Sequence, residues 1–103
     1  MKIAVTYADG QIFQHFGHTE ALKLYEIEDN RVVNSEIIST EGSGHAAIAD
    51  VLKNAGAQVL ICGGIGGCAV SALDNYGIEL YAGVQGSADE AVEVFLNGSL
   101  AQV

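Results

Sequence analysis

Five side chains in this sequence are of the kinds that hold transition metals. They are three histidines, His15, His18 and His45, and two cysteines, Cys62 and Cys68. Soft and borderline transition metals prefer imidazole and thiolate donors, so the set favours a metal or a metal–sulfur ligand. The cysteines lack the two-residue spacing of zinc knuckles and ferredoxins, so spacing alone does not identify the site. Two interpretations therefore stay open for Cys62, a ligand or a small buried side chain, whereas Cys68 falls at a helix start, where thiols ionise readily.

A glycine-rich turn separates the two cysteines. The stretch "CGGIGGCA", residues 62–69, places Gly63, Gly64, Gly66 and Gly67 between an apolar strand and a helix. Such glycines let backbone N–H groups approach an anionic ligand at a helix amino terminus, although a tight strand-to-helix turn explains them equally well. A dinucleotide site is not favoured, because the next strand ends in "AGVQG" without an acidic residue for a ribose. A Gly-Lys-Ser/Thr loop for a nucleoside triphosphate is also absent from the sequence.

The elements that position these residues follow from periodicity and turn signals. Apolar alternation and short apolar runs predict five strands, and stripes at helical spacing predict three helices. Ser43 and Gly56 delimit the first helix, Gly77 ends the second, and Ser87 with Glu90 forms a capping box that begins the third. The strands are predicted at 2–7, 21–28, 31–39, 58–62 and 78–82.

The order βββαβαβα predicts a mixed, five-stranded sheet with helices on both faces. Right-handed crossovers give the strand order 3-2-1-4-5, with the second strand antiparallel. The connections after four of the strands then meet at one edge, and all three histidines and both cysteines lie there. The connection 8–20 is longer than most structureless loops, which favours a binding role. We expect Phe13 and Phe16 to anchor it, with His15 and His18 directed toward the glycine turn.

Composition limits the function classes. The 103 residues, which we expect to form one domain spanning 1–103, carry thirteen acidic and four basic residues, a formal charge of −9. Such a surface repels nucleic acid and acidic membranes, so neither is expected as a partner. The start "MKIAVTY" has no secretory leader, which predicts a cytoplasmic protein. Asp9 stands where a ribonuclease H-like nuclease has a metal-binding carboxylate, but only Glu20 and Glu41 lie near the same edge.

The ordered motifs resemble a known family. "HFG" at 15–17, "GSGHAA" at 42–47, the "GGIGG" turn at 63–67 and a last helix ending "FLNGSL" are similar to the dinitrogenase iron-molybdenum cofactor biosynthesis family, which includes small nitrogenase accessory proteins and orange-protein-like cluster binders. The resemblance implies a ribonuclease H-like three-layer α/β fold and noncovalent binding of an anionic metal–sulfur cluster without catalysis. By position it carries over His15, Phe16, Gly17, His45 and the four glycines Gly63, Gly64, Gly66 and Gly67 as cofactor-binding residues.

The chain departs from the family at two points. His18 stands where an arginine commonly follows "HFG", and neither cysteine is a general family feature. The expected function is a non-catalytic, cytoplasmic carrier or scaffold for an iron–sulfur or molybdenum–iron–sulfur cluster, a nitrogen-fixation accessory that works with cluster-donor or acceptor proteins as a monomer or weak homo-oligomer. The alternatives are a regulatory module whose acidic face docks a partner protein, and a degenerate ribonuclease H-like nuclease.

Overall fold

The computed structural model describes residues 1–16, 19–39 and 45–98, and for residues 45–47 and 68 it describes the backbone only. Six strands and three helices lie in these ranges. Their order along the chain is β1 (Lys2–Ala8), β2 (Gln11–Ile12), β3 (Ala21–Glu28), β4 (Arg31–Ser39), α1 (His45–Ala55), β5 (Val59–Ile61), α2 (Gly67–Asn75), β6 (Glu79–Tyr81) and α3 (Ala88–Leu96).

The main sheet has the order β4-β3-β1-β5-β6, with β1 in the centre. Strand β3 is antiparallel to β1 and β4, whereas β1, β5 and β6 are mutually parallel. The predicted order 3-2-1-4-5 with an antiparallel second strand is confirmed. The carboxyl ends of β1, β4, β5 and β6 therefore share one edge of the sheet.

The prediction of five strands is wrong, because the connection after β1 contains a sixth. Asp9 and Gly10 both have positive φ, 48° and 83°, as a two-residue hairpin turn requires, and β2 folds back on the end of β1. The pair Tyr7 and Ile12 sets the register. A strand of two residues is too short for its side-chain alternation to be recognised in a sequence.

Two apolar cores lie on opposite faces of the sheet. Successive residues of β1 point to opposite sides. Ala4 belongs to the core covered by α1 and α2, whereas Ile3 and Val5 belong to the core covered by α3. All three residues of β5 are buried, as expected for a strand covered on both faces. The α/β/α layering is thus as predicted, while the specific likeness to ribonuclease H stays a prediction, as does the extent 1–103 of the domain.

The hairpin of β3 and β4 forms the outer edge of the sheet. Its turn, Asp29 and Asn30, also has two positive φ angles, 52° and 63°. Both strands have the bounds that the sequence predicts. Every residue of β4 except Ile38 is exposed, including Val33 at 52% and Ile37 at 55%. This strand thus presents apolar surface at the rim of the molecule.

The helix ends follow the sequence signals. The chain adopts positive φ just after each helix, at Gly56, Gly77 and Gly98, and Ser87 caps α3. The prediction that Ser43 caps α1 lies outside the described residues. Among the helices of the described ranges, none combines the length and the hydrophobicity that a membrane crossing needs.

Candidate functional site

The chain after β2 is bound to the glycine turn by backbone hydrogen bonds. The Gly64 N–H donates to the Gln14 carbonyl at 2.7 Å, and the Phe16 N–H donates to the Gly64 carbonyl at 3.0 Å. These bonds form a parallel bridge between His15 and Gly64. The backbone of His15 therefore lies beside the glycine turn, whereas the predicted direction of its side chain toward the turn stays a prediction and His18 lies outside the described residues.

Two polar residues that the sequence analysis did not select hold this arrangement. The Gln14 amide donates to the carbonyls of Ile12 and Val84, at 3.0 and 3.1 Å. The fully buried Thr6 donates its hydroxyl proton to the Phe13 carbonyl at 2.8 Å and accepts the Phe13 N–H at its own carbonyl at 2.9 Å. A threonine inside a buried apolar strand is the signal that could have identified Thr6, because a buried hydroxyl needs a partner.

The two phenylalanines differ in what they contact. The Phe16 side chain is 1% exposed and belongs to the core under α1 and α2, so it anchors the loop as predicted. Phe13 is half-buried, and its ring meets the His15 ring edge-on with centroids 6.2 Å apart. Since the Phe16 ring is enclosed by protein, only its backbone could touch a ligand. The cofactor-binding role of Phe16 stays a prediction.

The four glycines of the turn are of two kinds. A Cβ at Gly63 would lie 2.7 Å from Gln14 Cα, and one at Gly64 would lie 2.9 Å from the Gln14 carbonyl oxygen. Both positions therefore need glycine for the loop to pack. A Cβ at Gly66 or Gly67 would meet no heavy atom of the described residues within 4 Å, and neither residue has positive φ. The described part of the fold therefore does not require glycine at either position.

The amino terminus of α2 has neither a side-chain cap nor an acidic residue in its first turn. Gly66 is its N-cap residue, so the cap makes no side-chain hydrogen bond, and the first turn contains no acidic residue. The first turn of α1, which packs beside α2, is also free of acidic residues. Residues 54–73 carry no charged side chain in a chain with thirteen acids. The unpaired N–H groups and the partial positive charge of such a terminus suit an anion.

Cys62 lies in the core. Its side chain is fully buried and is a free thiol, and burial raises its pKa to about 12. The thiol therefore stays protonated at neutral pH, whereas metal ligation needs the thiolate. The structure favours the second interpretation of Cys62, a packed core side chain, over a ligand.

The other predicted ligands are located only in part. His45 is the first residue of α1 and Cys68 is the second residue of α2, both at the predicted edge, but their side chains lie outside the described part, as do Gly17 and His18 entirely. Among the described side chains, no three histidine, cysteine, aspartate or glutamate residues converge to hold a metal ion. Metal ligation by His15, His18, His45 and Cys68 therefore stays a prediction.

Comparisons with known proteins cover almost the whole chain. The sequence profile of the family described as dinitrogenase iron-molybdenum cofactor matches residues 1–98. An uncharacterised protein of Methanocaldococcus jannaschii is 33% identical over 105 residues, with 97% of this chain and 89% of the relative covered. The crystal structure of the protein PH0822 superposes with a TM-score of 0.92 at 26% identity, covering 99% of this chain and 94% of that one. For the apo form of the orange protein from Desulfovibrio gigas, the TM-score is 0.85 at 27% identity, with 99% and 92% covered.

Proposed function

This chain belongs to the dinitrogenase iron-molybdenum cofactor family, and on that premise we propose that it is a non-catalytic carrier or scaffold for an anionic metal–sulfur cluster. The cluster class is an iron–sulfur or molybdenum–iron–sulfur cluster related to the iron-molybdenum cofactor. The observation that carries the proposal is the amino terminus of α2, which has no side-chain cap and begins three residues after Gly64, the bridge partner of His15 at the carboxyl edge of the sheet.

The groups at this edge fit such a cargo. The N–H groups at the start of α2 donate hydrogen bonds to the sulfides of a bound cluster, and Gly66 and Gly67 let the cluster approach the backbone. His15, held at the Gly64 bridge, ligates a metal or donates a hydrogen bond from its imidazole. In the proposal His18, His45 and Cys68 complete the set: His45 begins α1 and Cys68 is the second residue of α2, and His18 lies outside the described residues.

Local electrostatics support an anionic cargo on an acidic protein. The formal charge of −9 repels anions in general, but no charged residue lies between Lys53 and Asp74. The first turn of α2 contains no carboxylate, so nothing in that turn neutralises the partial positive charge of the helix dipole. The acidic residues elsewhere remain available to cluster-donor and acceptor proteins. We further propose that the protein works in the cytoplasm in nitrogen-fixation chemistry, as a monomer or weak homo-oligomer.

A second candidate is a protein-docking module without a cluster. The exposed side of α3 carries Asp89, Glu90 and Glu93, and such a face attracts a basic partner. The degenerate nuclease is weaker, since Asp9 has no pair of acidic neighbours close enough for a metal among the described residues. Nuclease chemistry of this class needs several converging carboxylates.

Anaerobic reconstitution tests the carrier proposal. The protein is incubated with iron, sulfide and tetrathiomolybdate and passed through gel filtration, and the absorption spectrum of the protein peak is recorded. We expect charge-transfer bands to co-elute with the wild type and to be lost or much weakened in His15→Ala. Tyr76→Phe, at the other end of α2, is the matched control and should retain the bands. A colourless wild-type peak under all these conditions would contradict the proposal and leave the docking module.

A further inference from the structure

A second concave site lies on the α3 face of the sheet. It is a cleft of about 540 Å³ between the β1–β2 turn and the start of β3. Small-molecule sites typically measure about 300–1,000 Å³. Tyr7, which lines the cleft, packs against the core under α3, whereas the glycine turn leads into α2 on the opposite face. The cleft therefore lies on the opposite face from the proposed cluster site, with the ring of Phe13, which lines it, in edge-on contact with His15, and the proposal for it does not rest on that function.

The walls of the cleft are aromatic and aliphatic. Tyr7 and Phe13 are half-buried and present ring surface to it, and Ile37 on the exposed strand β4 closes one side. Ile37 is 55% exposed, so its side chain is accessible to a ligand in the cleft. An apolar group resting here would remove this surface from water.

Two carboxylates give the cleft its charge. Asp9 and Glu20 line it, and neither forms a hydrogen bond or ion pair with any described residue through its side chain. Lys23 of β3 is a cation on the same face of the sheet as the cleft, and its ammonium nitrogen lies 2.9 Å from a carboxylate oxygen of Asp89 on α3. The hairpin turn holds the backbone of Asp9 at positive φ and fixes its position at the rim. The cleft thus combines preset negative charge with aromatic walls.

We propose that this cleft binds a small organic cation, an amine or guanidine attached to an apolar body. The cationic group faces Asp9 and Glu20, and the body lies against Tyr7, Phe13 and Ile37. Aromatic rings attract such cations in addition to the carboxylates. An anion would be repelled by both acids. A metal ion is not favoured, because the described residues supply only two carboxylates here and no third donor.

Titrations of the isotope-labelled, full-length chain by NMR test the proposal. The probes are tryptamine, phenethylamine and agmatine, with tryptophol as the neutral analogue of tryptamine and magnesium chloride as the metal probe. We expect at least one of the three cations to give saturable shifts at the amides of Tyr7, Ala21 and Ile37. Tryptophol should bind about tenfold more weakly than tryptamine, since it lacks the charge that two exposed carboxylates recognise.

Matched variants separate charge from apolar contact. Asp9→Asn keeps the turn, because asparagine tolerates positive φ, and Asp9→Asn and Glu20→Gln should each weaken amine binding roughly two- to fivefold. Asp29→Asn removes the same charge from the same kind of turn at the other end of β3, and it should change nothing. Ile37→Ser should weaken tryptamine and tryptophol equally.

Several outcomes would overturn the proposal. One is the absence of saturation by all three cations up to about 10 mM, which lies beyond the roughly 1 mM dissociation constant of a weak small-molecule site. Equal binding of tryptamine and tryptophol would remove the role of the carboxylates. An effect of Asp29→Asn as large as that of Asp9→Asn would show that only net charge matters. Saturable magnesium binding that displaces the amine would assign the cleft to a metal ion.

Discussion

The amino termini of α2 and α3 lie at the same edge of the sheet, yet they differ in how their backbone N–H groups are capped. At α3 the Ser87 hydroxyl accepts the Glu90 N–H, the Ala88 N–H donates to the Gly10 carbonyl at 3.1 Å, and Asp89 and Glu90 lie in the first turn. At α2 the cap is a glycine and the first turn has no acid. The protein's own groups cap α3, whereas the start of α2 has neither a side-chain cap nor an acid in its first turn, as the proposed anion site requires.

A shortage of capping residues in the chain therefore does not explain why the start of α2 lacks a side-chain cap. A helix terminus carries about half a positive charge, and acids beside it stabilise the helix by roughly 0.3–1 kcal/mol each. The chain places two acids at α3 and none at α2 despite its thirteen acidic residues. Stability alone would favour a carboxylate or hydroxyl at both positions. Four changes to the chain test this contrast.

The first test compares alanine at a glycine that packs against Gln14 with alanine at a glycine that begins α2. Gly63→Ala forces a Cβ into the Gln14 backbone, so we expect it to destabilise the protein by about 1–3 kcal/mol. Gly67→Ala meets no atom within 4 Å and should be neutral or stabilising by up to about 1 kcal/mol, since alanine favours a helix. Urea unfolding followed by circular dichroism measures both. Equal stability of the two variants would show that Gln14 does not require glycine at position 63.

The second change removes the side-chain cap of α3. Ser87→Ala removes the acceptor for the Glu90 N–H and should destabilise the protein by about 1 kcal/mol. Ser87→Asp supplies a new acceptor and is the matched control, with stability close to the wild type. Thermal unfolding measures both, and about 1 kcal/mol corresponds to roughly 4–8 °C in a domain of this size. If Ser87→Ala melts with the wild type, the cap contributes nothing to α3.

The third change adds a side-chain cap to the amino terminus of α2. Gly66→Asp places a carboxylate at the N-cap of α2, where the extended backbone conformation and the empty space permit it. We expect stability to rise by about 0.5 kcal/mol while cluster retention in the reconstitution assay falls. Gly66→Ser caps without charge and should lower retention less. Undiminished retention by Gly66→Asp would exclude the start of α2 as the anion site.

The fourth change concerns the pH dependence of the amino terminus of α3. The Tyr25 hydroxyl, 2.6 Å from Asp89, and the Lys23 ammonium hold the pKa of the Asp89 carboxyl below its usual range. Because the folded pKa is lowered, this stabilisation is present above the unfolded value of about 3.9 and is lost as pH falls through the folded pKa. The Asp89 side chain is 69% exposed, so solvent screening keeps the effect small.

Unfolding free energies measured between about pH 6 and about pH 3 test this linkage. The wild type should lose more stability over that interval than Asp89→Asn, whose amide does not titrate. Glu36→Gln is a suitable control for the loss of one acidic charge, because Glu36 is exposed on β4, away from the α3 terminus. Parallel curves for the wild type and Asp89→Asn would show that the contacts of Asp89 do not stabilise the fold.

Local signals made most of the fold predictable. The turn signal Asp29-Asn30 between two extended runs gave the bounds of β3 and β4, and the capping pair Ser87 and Glu90 gave the start of α3. The strand order followed from connection rules. These features depend on residues within a few positions of one another, or on handedness that all proteins share.

The features that were missed depend on contacts between distant segments. Strand β2 is too short to show a pattern, and the need for glycine at Gly63 arises from Gln14, which is far away in sequence. The topology brought the chain after β1 to the edge of the glycine turn, where the backbones of His15 and Gly64 form a bridge. It could not distinguish the packed glycines from the open ones, or a buried thiol from a ligating one, since both distinctions depend on the surrounding atoms rather than on residue type.

The enclosed position of Cys62 makes it a natural reporter of how the molecule opens. Its sulfur lies just after β5, under α1 and α2, where a thiol reagent has no access in the folded state. In a Cys68→Ser background, the alkylation rate of Cys62 would therefore follow the transient separation of the helices from the sheet centre. A bound cargo that holds the start of α2 would slow this reaction, so the alkylation rate of Cys62 would report how far cargo binding restrains α2.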